Sequence, residues 1–350
     1  MRDSNPVGRE QAGAIASPGD AAMMSLRHGT ALIGALALIA AGVVSAQAQS
    51  DYPNKPITLV VPLPPGGTTD IMARVIADKL GAAFGQPVVV ENRVAGGTGT
   101  VASRAVARGP ADGYTLLLAY TTTLATAPSI LPNVGYDARK DFSPVGLIGF
   151  APTLLLAHPS TAYHNTGDLI AAIKASKESF QIGIPAVGSV THLAAVLFAA
   201  QAGVKVQYIP YKGSGPLTTD LIGGHVKVGF NPIPAVRSAI EGKLIRAIAA
   251  TSAKRSSMFP DLPTVAEAGL SGYDAVLTYG IVVASGTPRA IVEKLNKALL
   301  SALATDEVKR RLHQEGAEAM PTTLEQHAAV IDQEVTKWSA LIKAHGITSP

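Results

Sequence analysis

The sequence predicts an α/β fold built on mostly parallel sheets. Three observations carry that expectation. Short apolar runs alternate with helical patterns from Ile57 to His345. Glycine-rich turns join several of those runs to the helix that follows, as in Pro62–Asp70 and Gly97–Ala102. The chain has 350 residues, more than one core of ordinary size accommodates, so two domains are expected.

Taken in order, Ile57–Val61 is an apolar, strand-like run, and Thr69–Phe84 follows it with helical spacing. Val88–Val90 is a second strand, leading to a helix over Gly99–Ala107. Thr115–Ala119 and Thr153–Ala157 read as buried strands. Asp168–Ala175, Thr191–Ala202 and Pro216–Gly223 read as helices, separated by strands at Gln181–Ile184 and Val206–Ile209. Val226–Phe230, Ile245–Ala249 and Tyr279–Ala284 complete the strands. Helices over Arg289–Ala304, Glu307–Glu315 and Leu324–His345 close the chain.

The first stretch stands apart. Arg27 and His28 precede the apolar run Ala31–Val44, and Ala46-Gln47-Ala48 offers an A-x-A site. This pattern describes a secretory signal over residues 24–48, cleaved near Ala48 and preceded by an upstream extension over 1–23. Export to the periplasm follows. Residues 1–48 hold three basic and three acidic side chains, so the net charge of +4 survives cleavage. No Lys/Arg-rich block appears, which argues against nucleic-acid binding. Absence of cysteine excludes thiolate metal sites, thiol nucleophiles and disulfides.

Chemistry concentrates at strand-to-helix junctions. Pro62-Leu63-Pro64-Pro65-Gly66-Gly67-Thr68-Thr69-Asp70 turns sharply and opens a helix whose first N–H groups lack internal partners. Such an end holds an anion without a basic side chain. Gly188-Ser189-Val190-Thr191-His192 repeats the arrangement after another strand. For each, the bland reading is an ordinary helix cap. Two such starts, in different halves of the chain, favour a shared anion site. Tyr120, Thr121 and Thr122 lie at a third strand end and read equally as cleft lining or a solvated turn. Asn231 follows a strand and is placed to add an amide. Asp70 fits a first-turn acid paired with Arg74. Gly97–Ala102 matches a G-x-G-x-x-A fingerprint, but no acidic residue stands about twenty positions on at a strand end. No cofactor and no metal site is therefore expected.

Taken together, the matching stretches identify the chain as similar to a known family. They include Tyr52-Pro53-Asn54-Lys55-Pro56, Pro65–Asp70 with Ala73-Arg74, and Gly85-Gln86-Pro87-Val88 with Glu91-Asn92. Further on come Asp112-Gly113-Tyr114-Thr115, Pro210-Tyr211-Lys212-Gly213, Leu262–Gly269 and Lys337-Trp338. The chain resembles the Bug family of periplasmic solute receptors, which serve tripartite tricarboxylate transporters. The resemblance implies a two-lobed type II binding protein, a Venus flytrap. One lobe joins residues 49–152 to 278–350 and the other spans 153–277. It implies a carboxylate held by Pro64, Gly67, Thr68, Thr69 and Asp70 from one lobe and by Gly188, Ser189, Thr191 and His192 from the other. Tyr120, Thr121, Thr122 and Tyr279 match the pocket wall by position.

The function expected is capture of a small organic carboxylate by a monomer, for delivery to membrane permease subunits, with no chemistry done on the ligand. Two alternatives use the same cleft. One is an exported hydrolase drawing on Ser189, His192 and Asp70, and the other is a ligand sensor. A dinucleotide enzyme rests on Gly97–Ala102 alone.

Overall fold

The computed structural model describes residues 52–94 and 98–348. The expected signal, its upstream extension and the cleavage point lie outside the described residues. In chain order the strands are β1 (Ile57–Val61), β2 (Val88–Asn92), β3 (Thr115–Tyr120), β4 (Phe142–Ala157), β5 (Phe180–Ile184), β6 (Val206–Pro210), β7 (Val228–Pro232), β8 (Arg246–Ala250), β9 (Val276–Ala284) and β10 (Glu318–Ala319). The helices are α1 (Thr68–Phe84), α2 (Thr100–Ala107), α3 (Ala127–Ile130), α4 (Thr166–Ala175), α5 (Val190–Ala202), α6 (Ser214–Gly223), α7 (Ile233–Glu241), α8 (Arg289–Ala304), α9 (Asp306–Gln314) and α10 (Leu324–Ala344). A π-helical turn, Thr122–Thr126, precedes α3.

The α/β architecture is as the sequence predicts. Parallel ladders form two wings: β2-β1-β3 and β7-β5-β6. Antiparallel ladders join them through β9 and β4. Strand β4 changes partners partway along its length. Phe142–Pro152 pairs with β9, and Thr153–Ala157 pairs with β7. β8 covers the other edge of that second stretch.

Only the second stretch of β4 is visible as a strand in the sequence. The first contains Pro144, Gly146, Gly149 and Pro152, which read as breakers. The register shifts at Pro144/Gly146 and again at Leu147/Gly149, so the strand survives as a bulged one. A Cβ on Gly149 would overlap the Glu318 carbonyl, so glycine is what lets β10 close on β4. Helix α7 was hidden by Pro234, which sits in its first turn, where proline is tolerated.

Helix α10 ties the two wings together from behind. Thr323 and Gln326 form a reciprocal capping box at its start. Its Ile331 packs with Val60 and Leu117 of the first wing and with Val282 of β9. About two and three turns later, Trp338 and Ile342 pack with Leu193, Phe198 and Phe230 of the second. The helix therefore belongs to both cores.

Candidate ligand-binding site

The start of α1 is open. Its N-cap is Gly67, which supplies no side-chain cap. The amides of Thr68 and Thr69 fall in the first turn, where no helical carbonyl reaches them. The loop before them is held from below by Asp70. This buried carboxylate accepts from the Gly66 amide at 2.9 Å, Asn92 Nδ2 at 2.9 Å and Arg74 Nε at 3.0 Å. Burial pushes its pKa up, but hydrogen bonds from Arg74, Gly66 and Asn92 outweigh that and hold it below the usual carboxylate range. Asn92 also donates to the Leu63 carbonyl at 3.0 Å, so it fixes both ends of the turn. Pro64 and Gly67 are exposed on the turn's rim.

The hydroxyls of this region face neighbours from distant parts of the chain. Thr68 Oγ1 donates to Glu315 Oε2 at 3.1 Å. Thr69 lies beside the Tyr279 phenol. Tyr279 on β9 lies opposite Tyr120 on β3. Burial raises the pKa of both phenols well above the ordinary value, so they remain donors at neutral pH. The Tyr120 hydroxyl donates to the Thr98 carbonyl at 3.4 Å.

After Tyr120 the chain makes its π-helical turn rather than a solvated one. Tyr120, Thr121 and Thr123 are buried, and Thr122 is half-buried. Thr123 Oγ1 donates to the Tyr120 carbonyl and accepts from its amide, at 2.9 and 3.1 Å. Thr121 points to β9 and α10. It meets Thr278 Oγ1 at 3.0 Å and donates to Glu334 Oε1 at 3.1 Å. Thr278 binds the same carboxylate at 3.0 Å. Burial pushes Glu334 up to about 7, against these hydrogen bonds and the nearby Lys337 charge.

At the start of α5 the third amide is capped. Ser189 is its N-cap, accepting from the His192 amide at 3.1 Å and donating to the Ala186 carbonyl at 2.8 Å. His192 Nδ1 accepts from the Gly188 amide at 3.1 Å. The imidazole packs edge-on against Tyr208, with centroids 5.0 Å apart. Burial lowers its pKa to about 4, so the ring is neutral. Thr191 is buried beside it. Ser189 Oγ thus bonds to backbone on both sides rather than to the imidazole. Asn231 is fully buried at the end of β7. Its Nδ2 donates to the Ser214 carbonyl and to Thr218 Oγ1, at 3.1 and 2.9 Å, while Oδ1 has no partner among the described residues.

The π turn connects the two helix starts. Pro62 and Thr123 both pack on Gly99, where a Cβ would lie 2.7 Å from Pro62 Cβ and 2.9 Å from Thr123 Cγ2. At the turn's other end Thr126 Oγ1 donates to the Gly188 carbonyl at 3.5 Å. The Gly97–Ala102 motif is thus, over its described residues, a tightly packed helix start. A separate concavity of about 800 Å³ lies among α8, α9 and β10, lined by Leu300, Arg310 and His313.

Comparison with known proteins decides what these loops belong to. Residues 72–347 match the family model of the tripartite tricarboxylate transporter family receptor, TctC. The chain belongs to that family. Protein BugT of Bordetella pertussis is 36% identical to this receptor over 324 residues, covering 92% of this chain and 99% of BugT. Among solved structures, Rpa4515 of R. palustris with adipate is 36% identical, with a TM-score of 0.71 over 85% of this chain and 99% of that one. MatC from Rhodopseudomonas palustris with bound malate is 30% identical, with a TM-score of 0.66 over 83% of this chain and 100% of that one. The receptor's fold is that of periplasmic solute-binding proteins, as the periplasmic binding protein BugD, 33% identical with a TM-score of 0.67, also shows.

Proposed function

We propose that this receptor captures a small organic carboxylate between two lobes, residues 49–152 with 278–350 and residues 153–277, and that the lobes close on it. The observation that carries this reading is the uncapped start of α1. Two first-turn amides, a positive helix end and a loop pinned by Asp70 form a ready anion site without a cationic side chain. The relatives solved with adipate and malate support a carboxylate as the anion. The change of partner within β4 between Pro152 and Thr153 supports a hinge there.

Roles divide accordingly. Thr68 and Thr69 give amides to the carboxylate. Tyr120, Thr122 and Tyr279 wall the cleft, while Thr191 and the Gly188-Ser189 backbone approach from the second lobe. Asp70 and Thr121 act from behind, by fixing the loop and the hinge. His192 buttresses its own turn. Binding is the function: no base faces Ser189, since its hydroxyl and the His192 ring both bond to backbone. After signal cleavage the receptor works in the periplasm as a monomer and hands its ligand to permease subunits of a tripartite transporter.

A thermal-shift screen of mono-, di- and tricarboxylates, aromatic acids and amino acids tests the reading. A ligand at a hundredfold over its Kd stabilises by roughly 2.7 kcal/mol. A melting point moved only by cationic compounds, and by no carboxylate, would end it.

A further inference from the structure

Helix α10 carries an acidic side chain, Glu334, into the junction of β3 and β9. The Thr121 hydroxyl lies 3.1 Å from its Oε1, and the Thr278 hydroxyl lies 3.0 Å from both carboxyl oxygens. The two hydroxyls lie 3.0 Å from each other. Both threonines are buried, and Glu334, half-buried as a whole, turns its carboxyl end onto them. Three polar groups thus make three mutual contacts, and each contact needs a proton. Each hydroxyl has one to give. With the carboxylate ionised, two protons serve three contacts, and one contact sets lone pair against lone pair. A neutral Glu334 supplies the third proton. It donates to Thr121, Thr121 donates to Thr278, and Thr278 donates back to the second carboxyl oxygen, which closes a ring. Thr121 Oγ1 also accepts from the Thr278 amide at 2.9 Å, so the ring holds backbone as well.

The ring stands behind the proposed cleft wall. Thr121 lies between Tyr120 and Thr122, and Thr278 precedes Tyr279. It also stands at a chain crossing. One turn further along α10, Lys337 Nζ donates to the Asp274 carbonyl, on the second-lobe side of the crossing. Burial pushes the Glu334 carboxyl up to about 7, against the hydrogen bonds from Thr278 and Thr121 and the charge of Lys337, while Asp274 adds to the rise. Of the other elements packed on α10, the π turn, α3 and β4 carry no ionisable side chain. His192 of α5 is bonded to the Gly188 amide, and Tyr279 of β9 lies beside Thr69.

We propose that Glu334 is a positioning residue of the binding site that works by carrying a proton: neutral, it closes the ring behind the cleft wall, and ionised, it loosens it. The inference rests on the carboxylate reading of the cleft. The closed ring favours binding, so carboxylate affinity falls as pH rises through the Glu334 titration.

Two measurements test this, each against Glu334→Gln, whose amide keeps a donor and an acceptor at every pH. The first needs no ligand. Hydrogen exchange at the Thr278 amide should match the variant near pH 5.5, and protection should fall at least about threefold below the variant's near pH 8.5. The second is calorimetric titration with succinate, malate and adipate. For an acid that binds, wild-type affinity should equal the variant's near pH 5.5 and fall at least about threefold below it near pH 8.5. The comparison cancels the titration of the ligand itself. Protection that follows the variant at both pH values overturns the ring. Affinity that follows it at both overturns the positioning role, even where protection falls. If none of the three acids binds, the carboxylate reading falls and the positioning role with it, while amide protection still decides whether the ring holds a proton.

Discussion

The two helix starts look alike in sequence and differ in structure. Each places glycine and hydroxyl residues between a strand and a helix. At α5 the polar groups satisfy one another: Ser189 caps the His192 amide, and the imidazole takes the Gly188 amide. At α1 no side chain caps the helix, and the first-turn acid turns back to hold the preceding loop. A glycine-hydroxyl turn thus marks a helix start but does not say whether its third amide is capped. That depends on whether the N-cap residue has a side chain: Ser189 has one and Gly67 has none.

Substitutions can break or sharpen this contrast. The largest effect on binding is expected from Thr68→Pro. Proline fits the first helical position and deletes the amide proton there. Carboxylate affinity should fall by roughly tenfold or more, since a hydrogen bond to a charged group is worth about 1.5–3 kcal/mol. Calorimetric titration reads the loss, and circular dichroism should show the helix retained.

Asp70→Ala comes next. It leaves the Gly66 amide and Asn92 without their carboxylate, so denaturant unfolding should show a loss of about 1–3 kcal/mol, with weakened binding. Ser189→Ala removes a cap and should cost about 1 kcal/mol of stability. Because the Ser189 hydroxyl is engaged with backbone on both sides, ligand affinity should change little.

Smaller effects come from pH. His192 has a folded pKa of about 4 against an ordinary 6.5. The unfolded chain therefore binds more protons in that window, and stability falls as pH drops from 6.5 toward 4. His192→Asn should flatten this slope in melting curves taken across pH. Glu334 works in the opposite sense. Its folded value of about 7 lies above the ordinary 4.5, so it lowers stability as pH rises from 4.5 to 7. Thr121 and Thr278 donate to it, and Lys337 and Asp274 lie near it with opposing charges. Glu334→Gln should raise the melting point above pH 7 relative to wild type and leave it little changed near pH 4.

The sequence made the alternation of β1–α1 and β5–α5 legible because apolar runs and glycine turns are local signals. It located both helix starts within one residue. It did not show the first stretch of β4, where glycine and proline serve close packing and bulges rather than a break. Nor did it show the π turn, whose residues and flank meet Tyr136 nearby and Thr278 and Glu334 far along the chain. Tyr136, for instance, donates to the Thr123 carbonyl. Glu315 also escaped notice. It is an ordinary helix-end glutamate until the fold brings it 247 positions back to Thr68.

The most direct measurement is carboxylate affinity in wild type, Thr68→Pro and Ser189→Ala, by titration under one set of conditions. The account predicts similar affinity in wild type and Ser189→Ala, and a fall of roughly tenfold or more in Thr68→Pro with the fold intact. Equal losses in both variants, or full affinity in Thr68→Pro, would contradict it.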